Sequence, residues 1–231
     1  MDILEYTAGL NGVDNVNITT NGVLTYPHLE KLREINGLKL NISLDTLIPE
    51  KFIQITRRDA FDKVMQTINK SIDIGISTKL NMVVQDGVND DEILSFVEYF
   101  RHKPVNLRFI EQMPFNEHEK FESVWTAKKI EDLLSTKYEL TQQPFQKNRT
   151  TIDYKINSSE FMIGIIAGYT RNFCGTCNRI RLTSTGRIKT CLYADPGLDV
   201  RELLRSGVSD DYLKDQLIAA VQSRHKDGRE D

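Results

Sequence analysis

The sequence has few cysteines, few prolines and no long apolar run, and each shortage excludes a class of protein. Its 231 residues include 3 Cys, 6 Pro and 13 Gly, which excludes a disulfide scaffold and a collagen-like chain. The longest apolar candidate, residues 161–167, is far shorter than the roughly 18 residues that a membrane span needs. The first residues have no basic segment followed by an apolar core, so the sequence predicts no signal peptide and a cytoplasmic protein without membrane contact.

A basic charge balance is also missing. The formal net charge is −3 and the pI is about 5.9, whereas proteins that bind duplex nucleic acid are usually strongly basic. We therefore expect no nucleic-acid partner. The hydrophobic share of 39% and the charged share of 27% are typical of a folded globular chain. An odd number of cysteines in a reducing compartment favours free thiols, metal ligands or redox groups.

The first half of the sequence alternates strand-like and helix-like segments, which predicts an α/β fold with parallel strands joined by helices. Polar residues stand where each predicted strand ends, and ligands of parallel α/β folds bind at that edge. Turns also favour such residues, so each one alone is ambiguous. The predicted strands cover residues 13–18, 38–44, 77–84 and 105–111, and the predicted helices cover residues 27–35, 59–72 and a segment that begins near Asn89.

The pattern changes after residue 115, where we place the boundary between a domain of residues 1–115 and a domain of residues 116–231. The second part predicts a helix over 125–138 and a hairpin of 151–156 with 160–166. A cysteine-bearing loop and two short strands, 180–183 and 187–191, follow. The part ends in two helices, 200–205 and 210–222, the last with Leu213, Leu217 and Val221 on one face. This is an α+β arrangement.

All three cysteines lie in one stretch of 18 residues, as Cys174-x-x-Cys177 and then Cys191. A Cys-x-x-Cys element can place two thiolates on one metal centre. With three thiolates, a [4Fe–4S] cluster would keep one iron open for a substrate. A structural zinc site needs a fourth ligand that this stretch does not supply. The same spacing also fits thiols that bind no metal or that act as a redox pair.

Two arginines follow the Cys-x-x-Cys element directly, in Arg179-Ile180-Arg181. On a strand, Arg179 and Arg181 would leave the same side of the chain. Guanidinium groups are well matched to phosphate oxygens, so the segment favours a pocket for a phosphorylated ligand beside the cysteines. A solvated strand face would explain the same pair without any ligand.

The sequence resembles the GTP 3',8-cyclase family, the radical SAM (S-adenosylmethionine) enzymes that open molybdenum cofactor biosynthesis. The similarity covers nearly the whole chain and is most specific in residues 173–182, where the cysteine and arginine block lies. Further matching segments are Thr19-Thr20-Asn21-Gly22, residues 41–45, Lys79-Leu80-Asn81, residues 108–113, Ser184-Thr185-Gly186-Arg187 and Cys191-Leu192-Tyr193.

The resemblance implies a partial radical SAM (βα) barrel that lacks its first strands, followed by an α+β iron–sulfur domain. It implies that Cys174, Cys177 and Cys191 hold a [4Fe–4S] cluster whose open iron binds GTP. The family's enzymes are lyases that convert GTP to 3',8-cyclo-7,8-dihydro-GTP, and a radical derived from SAM starts this conversion. The implied GTP contacts are Thr19, Lys79, Arg108, Arg179, Ile180 and Arg181, and the implied SAM contacts are Ser43 and Met113.

Three features of the family are absent from this sequence. The cysteine triad that holds the SAM-cleaving cluster is missing, and so are the Gly-Gly-Glu-Pro segment and the C-terminal Gly-Gly tail. We therefore expect this chain to be inactive alone, with the strand over residues 13–18 bared as an edge. We also expect a chain that is marginally stable, aggregation-prone or completed by a partner, either a second copy in a homodimer or another protein. The alternatives are a non-catalytic nucleotide or iron–sulfur module and a structural zinc protein.

Overall fold

The computed structural model describes residues 2–113, 122–144, 146, 149–157, 159–170, 177–192 and 194–224. Its helices are α1 Asp2–Ala8, α2 Leu29–Arg33, α3 Pro49–Thr56, α4 Phe61–Asp73, α5 Ile93–Phe100, α6 Ala127–Ser135, α7 Val200–Arg205 and α8 Asp210–Gln222. Its strands are β1 Val16–Thr20, β2 Leu38–Ser43, β3 Ser77–Val84, β4 Val105–Glu111, β5 Leu140–Gln142, β6 Thr151–Ile156, β7 Met162–Ile166, β8 Arg181–Leu182 and β9 Ile188–Lys189.

Seven strands form one sheet in the order β1-β2-β3-β4-β7-β6-β5. Strands β1 to β4 are parallel, and β7 adds to β4 in parallel as well. The antiparallel strands β6 and β5 then complete the far side. The prediction of a mainly parallel α/β sheet is confirmed. Strand β1 lies at one edge of this sheet, as expected for the strand over residues 13–18.

The two faces of the sheet differ sharply. Buried residues alternate with half-buried residues along β2, β3 and β4, which is the pattern of a sheet with one fully covered face. The covered face carries apolar side chains such as Leu40, Ile42, Leu80, Met82 and Phe109, all 0% exposed. The opposite face, called the polar face here, is mostly polar, although Val83 and Ile110 also lie on it.

Apolar side chains of the helices complete this core. Helix α4 contributes Val64 and Ile68, and α5 contributes Phe96 and Phe100. Burial of this kind is the main favourable contribution to folding. The core therefore fixes the sheet and leaves its polar face available for other side chains.

Several elements agree with the sequence-based bounds, and others were missed. The structure confirms the predicted bounds of β3, β4, α7 and α8. The prediction did not include α1, α3 or the short strand β5. It also treated the hairpin of β6 and β7 as part of the second domain, without its pairing to β4. Helix α8 has no buried residue, and Val221 on its predicted inward face is 45% exposed.

The chain divides into two compact units by its internal contacts. The first, called the sheet unit here, comprises residues 1–145 and 151–170, and it contains the whole seven-stranded sheet. The second, called the cysteine unit, comprises residues 146–150 and 171–231. A functional division near residue 115 stays a prediction.

The cysteine unit is built from short elements. Strands β8 and β9 pair in antiparallel fashion around the turn at Gly186, as the sequence predicts. Gly186 has a φ of +84°, a conformation that favours glycine. Helices α7 and α8 begin with side-chain caps, because Asp199 accepts the N–H of Glu202 at 2.9 Å and Ser209 accepts the N–H of Tyr212 at 3.3 Å. Among the described residues, no helix is long and apolar enough to cross a membrane.

Candidate functional site

The polar face of the sheet brings together most of the site residues predicted in the sheet unit. Thr19, Asn41 and Lys79 are aligned across β1, β2 and β3. Two residues further along, Ser43, Asn81 and Arg108 form a second row across β2, β3 and β4, and the two rows share a face because side chains alternate along a strand. Four of the predicted site residues lie in these two rows: Thr19, Ser43, Lys79 and Arg108.

Side-chain contacts connect the two rows. The Asn41 Nδ2 atom donates to Thr19 Oγ1 at 3.5 Å, and Arg108 Nη1 donates to Asn41 Oδ1 at 3.5 Å. Asn41 therefore lies between a predicted nucleotide contact on β1 and the arginine on β4. The Oδ1 atom of Asn81 is buried without a hydrogen-bond partner among the described residues, so one acceptor in the second row is unsatisfied.

The turn after β1 is held by hydroxyl groups. Gly22 has a φ of +79°, and its N–H donates to Thr20 Oγ1 at 3.0 Å. Thr67 on α4 donates its hydroxyl proton to the Gly22 carbonyl at 2.7 Å. A side chain at Gly22 would meet Ile42 and Val64 at 3.2 Å. Thr19 is thus followed by a turn that is fixed against the core.

The ends of β2 and β3 are fixed by two side chains. Asp45 accepts the N–H of Val83 at 2.8 Å, and Asn89 donates to the carbonyls of Asp45 and Val83 at 2.8 and 2.9 Å. Burial raises the pKa of the Asp45 carboxyl, and the Val83 N–H opposes that rise. These bonds hold the strand ends that follow Ser43 and Asn81.

Glu111 at the end of β4 is a structural anchor. It is 0% exposed and accepts the N–H groups of Ala127 at 2.5 Å, Tyr169 at 2.8 Å and Thr170 at 2.8 Å. Ala127 is the first residue of α6, where a carboxylate is favoured by the helix dipole. Because all its partners belong to the protein, we assign Glu111 to the framework of the site.

The hairpin adds three residues to the polar face that the sequence did not single out. Gly164 on β7 is paired with Arg108 on β4 and with Asp153 on β6. A Cβ at Gly164 would meet Thr151 Cγ2 at 2.4 Å, and Arg108 Cγ and Asp153 Oδ1 at 3.2 Å. Only a residue without a side chain fits there, so glycine lets the carboxylate of Asp153 approach the stem of Arg108. No local sequence signal shows this pairing.

Met113, a predicted SAM contact, lies just after β4. A Cβ at Gly168 would meet its Sδ atom at 2.7 Å, so the thioether lies against the backbone that follows β7. Met113 is half-buried. The structure thus places the side chain beside the same strand end that Glu111 fixes.

The cysteine unit contains the predicted metal ligands. Cys177 and Cys191 are free, half-buried thiols, and Cys174 lies outside the described residues. Burial raises the pKa of the Cys177 thiol, but the Arg179 backbone N–H and the Arg224 guanidinium lower it more, so the net direction is downward. A lowered thiol pKa favours the thiolate, which is the form that binds a metal.

The two predicted phosphate ligands differ in their surroundings. Arg179 is half-buried, and its Nη2 atom donates to Thr150 Oγ1 at 3.3 Å. Arg181 and Ile180 are exposed, and Arg181 begins β8. Arg179 is therefore oriented by the protein, whereas Arg181 is accessible to solvent.

This donor set fits an iron–sulfur cluster or another thiophilic metal. Both described cysteines are free and accessible in part, and cationic groups beside Cys177 favour a negatively charged sulfur ligand. Among the described residues, no group of three His, Cys, Asp or Glu side chains is close enough to hold an ion by itself. Cys174 is the further ligand that the sequence offers.

Comparisons with known proteins identify the family. The family described as Molybdenum Cofactor Synthesis C matches residues 105–229, and the Radical SAM superfamily matches residues 1–100. The GTP 3',8-cyclase of Syntrophomonas wolfei is 36% identical over 96% of this chain and 69% of its own length. Molybdenum cofactor biosynthesis protein 1 of Bos taurus is 38% identical over 96% of this chain and 35% of its own.

The chain spans only part of most of these relatives, including 56% of the mitochondrial GTP 3',8-cyclase of Arabidopsis thaliana, to which it is 37% identical over 94% of its own length. Among solved structures, Streptococcus suis SuiB bound to S-adenosylmethionine shares the fold with a TM-score of 0.59 and 12% identity. That match covers 87% of this chain and 49% of SuiB. The chain therefore belongs to the GTP 3',8-cyclase family of radical SAM proteins, which confirms the resemblance seen in its sequence.

Proposed function

We propose that this chain binds GTP, SAM and one [4Fe–4S] cluster as a GTP 3',8-cyclase-type protein of molybdenum cofactor biosynthesis. The observation that carries the proposal is the polar face of the sheet, where Thr19, Ser43, Lys79 and Arg108 share two adjacent rows. Relatives named GTP 3',8-cyclase support the same reaction. In this proposal Thr19, Lys79 and Arg108 contact GTP, and Ser43 and Met113 contact SAM.

The roles of the sheet residues follow from their chemistry. Lys79 and Arg108 are cationic and stabilise a triphosphate by charge-assisted hydrogen bonds. The hydroxyl groups of Thr19 and Ser43 donate to, or accept from, ribose or amino-acid groups. Each backbone is held by the sheet, so these side chains are oriented before a ligand binds, which lowers the entropy cost of binding.

In the cysteine unit, Cys174, Cys177 and Cys191 would hold the cluster, and Arg179, Ile180 and Arg181 would contact GTP. With three thiolates, such a cluster would supply an open iron able to act as a Lewis acid toward the base of GTP. Thr150 orients Arg179 through the hydrogen bond to its guanidinium. Arg179 and Arg181 neutralise phosphate charge.

We also propose that this chain alone does not turn over GTP. The sequence has 3 cysteines, all between positions 174 and 191, and SAM cleavage in the family needs a second set of three. A non-catalytic binding module fits this cysteine content equally well. Assay of the cyclised nucleotide with SAM and a reductant tests this inactivity, because product formed by the isolated chain would contradict it and would also exclude the non-catalytic module.

Metal analysis after anaerobic reconstitution tests the site. We expect iron together with acid-labile sulfide, bound by the wild-type chain and lost in Cys191→Ala. Zinc without sulfide would overturn the proposal in favour of a structural zinc site. Unchanged iron content in Cys191→Ala would overturn the ligand assignment.

Equilibrium dialysis with GTP tests the arginine. Arg179→Ala should weaken binding by about 1–3 kcal/mol, because a half-buried charge-assisted contact is lost. Arg205→Ala is the matched control, since Arg205 ends α7 as an exposed cation. Equal losses in the two variants would show that the contribution is only general surface charge.

A further inference from the structure

Arg224 is the residue whose contacts the family resemblance does not explain. It lies two residues after α8 ends at Gln222 and is half-buried, although Val221, Gln222 and Ser223 before it are exposed. Its Nη1 atom donates a hydrogen bond to the backbone carbonyl of Cys177. The contact joins positions 47 residues apart in the sequence, so it is a tertiary contact.

The same guanidinium also acts on the sulfur of Cys177. Burial raises the pKa of the Cys177 thiol, and the Arg224 guanidinium lowers it by hydrogen bonding and charge. The backbone N–H of Arg179, two residues after Cys177, lowers the pKa of the same thiol. A guanidinium has five donors in one plane, so a single Arg224 side chain can serve a carbonyl and a sulfur at once.

We propose that Arg224 is a positioning residue of the metal site, which fixes the Cys177 backbone and places a positive charge beside its sulfur. This inference rests on the proposed iron–sulfur function. Helix α8 has no fully buried residue, and Val221 near its end is 45% exposed, so the bond to Cys177 supplies a specific attachment for this end of the helix. Groups that orient metal ligands from outside typically change metal affinity by about 10–100-fold when removed.

The alternative is that Arg224 only stabilises the end of α8, because a cation near a helix C-terminus is favourable. The two roles differ in what they do to the bound cluster. A positive charge near the cluster stabilises its more negative, reduced form, which raises the reduction potential. A residue that serves the helix alone leaves this potential unchanged.

The experiment compares wild type, Arg224→Gln, Arg224→Lys and Arg205→Gln as full chains after anaerobic reconstitution. Three properties are measured: iron and sulfide per chain, the rate of iron loss to a chelator, and the midpoint potential of the cluster. For Arg224→Gln we expect iron loss that is about 10-fold faster and a more negative potential. Arg224→Lys keeps the charge and should recover the potential, with only partial recovery of iron retention.

Arg205→Gln controls for net charge, because Arg205 is an exposed cation at the end of the neighbouring helix α7. It should match wild type in all three measurements. Wild-type retention and potential in Arg224→Gln would overturn this inference and leave the proposed function intact. Faster iron loss with an unchanged potential would overturn it in favour of the helix-end role. A wild-type chain that binds no iron would refute the proposed function itself.

Discussion

The two units of the chain are stabilised in different ways. The sheet unit contains a continuous apolar core with many side chains at 0% exposure, among them Leu80, Phe96 and Phe109. In the described part of the cysteine unit, Ile188 is the only buried apolar side chain, at 6% exposure. Large apolar residues on its surface include Ile180, Leu182, Leu192, Leu204, Tyr212, Ile218 and Val221.

This difference shows which interactions define each unit. Burial of apolar surface fixes the sheet unit and positions its polar face. The cysteine unit relies on local hydrogen bonds, such as the Asp199 and Ser209 caps and the Arg224 contact with Cys177. Metal binding contributes directly to folding where a small core is insufficient. The candidate metal ligands lie in the unit that has the less extensive core.

The largest effect is expected when one apolar side chain is truncated in each unit, which tests the difference between their cores. Phe109→Ala removes a ring that is 0% exposed and should lower the free energy of unfolding by about 3–5 kcal/mol. Leu204→Ala removes a side chain that is 60% exposed and should change it by less than about 0.5 kcal/mol. Urea unfolding followed by circular dichroism measures both. Losses of similar size would show that the cysteine unit has a core of its own.

A smaller effect is expected at Gly164, on the polar face of the sheet unit. Gly164→Ala places a Cβ at 2.4 Å from Thr151 Cγ2. The β-branched side chain of Thr151 has little rotamer freedom in a strand, so it cannot easily move away. We therefore expect the unfolding free energy to fall by about 1–3 kcal/mol. Adding Thr151→Ser removes that methyl group and should recover part of the loss. Urea unfolding of the single and double variants gives the coupling between the two positions.

Gly197 in the cysteine unit is the matched control. Its Cβ would have only Ile188 O nearby, at 3.8 Å, so Gly197→Ala should change the unfolding free energy by less than about 0.5 kcal/mol. An equal loss at both glycines would argue against tight packing of the polar face. Absence of any recovery in the double variant would show that Thr151 is not the obstacle.

Much of the sheet unit could be predicted from the sequence because its signals are local. The alternation of apolar and polar residues defines β3 and β4. In the cysteine unit, the cap residues Asp199 and Ser209 mark the starts of α7 and α8 in the same local way. The pairing of β7 with β4 had no such signal, because strand pairing depends on contacts distant in the sequence. For that reason Gly164 and Asp153 were missed.

In the candidate site, too, the sequence predicted residues with local signals and missed those positioned by contacts distant in the sequence. The cysteine and arginine block is contiguous in the sequence, and Thr19 and Ser43 stand near the ends of predicted strands, whereas Lys79 was predicted from the family resemblance. Arg224 could not be found in this way, because its bond to Cys177 spans 47 residues and arginine near the end of a helix is commonplace. Helix α3 was missed since Phe52 is its only buried residue, which leaves a weak periodic pattern.

The smallest effect concerns the charge of Asp45 in the sheet unit. Burial raises the pKa of this carboxyl in the folded chain, although the Val83 N–H partly opposes the rise. The folded state therefore binds the proton more tightly than the unfolded state does, so stability from Asp45 is present at low pH and decreases as the pH rises through the folded pKa. Asp45→Asn keeps an oxygen that accepts the Val83 N–H and removes the cost of burying a charge.

We therefore expect Asp45→Asn to be more stable than wild type at pH 7, by less than about 1 kcal/mol, with the advantage disappearing as the pH falls below the ordinary range of an aspartate. Urea midpoints measured between pH 4 and pH 8 test this. Asp195→Asn in the cysteine unit is the control, because Asp195 is exposed and should give the same midpoint as wild type throughout. A lower midpoint for Asp45→Asn at pH 7 would mean that the carboxylate stabilises the strand ends more than its burial costs.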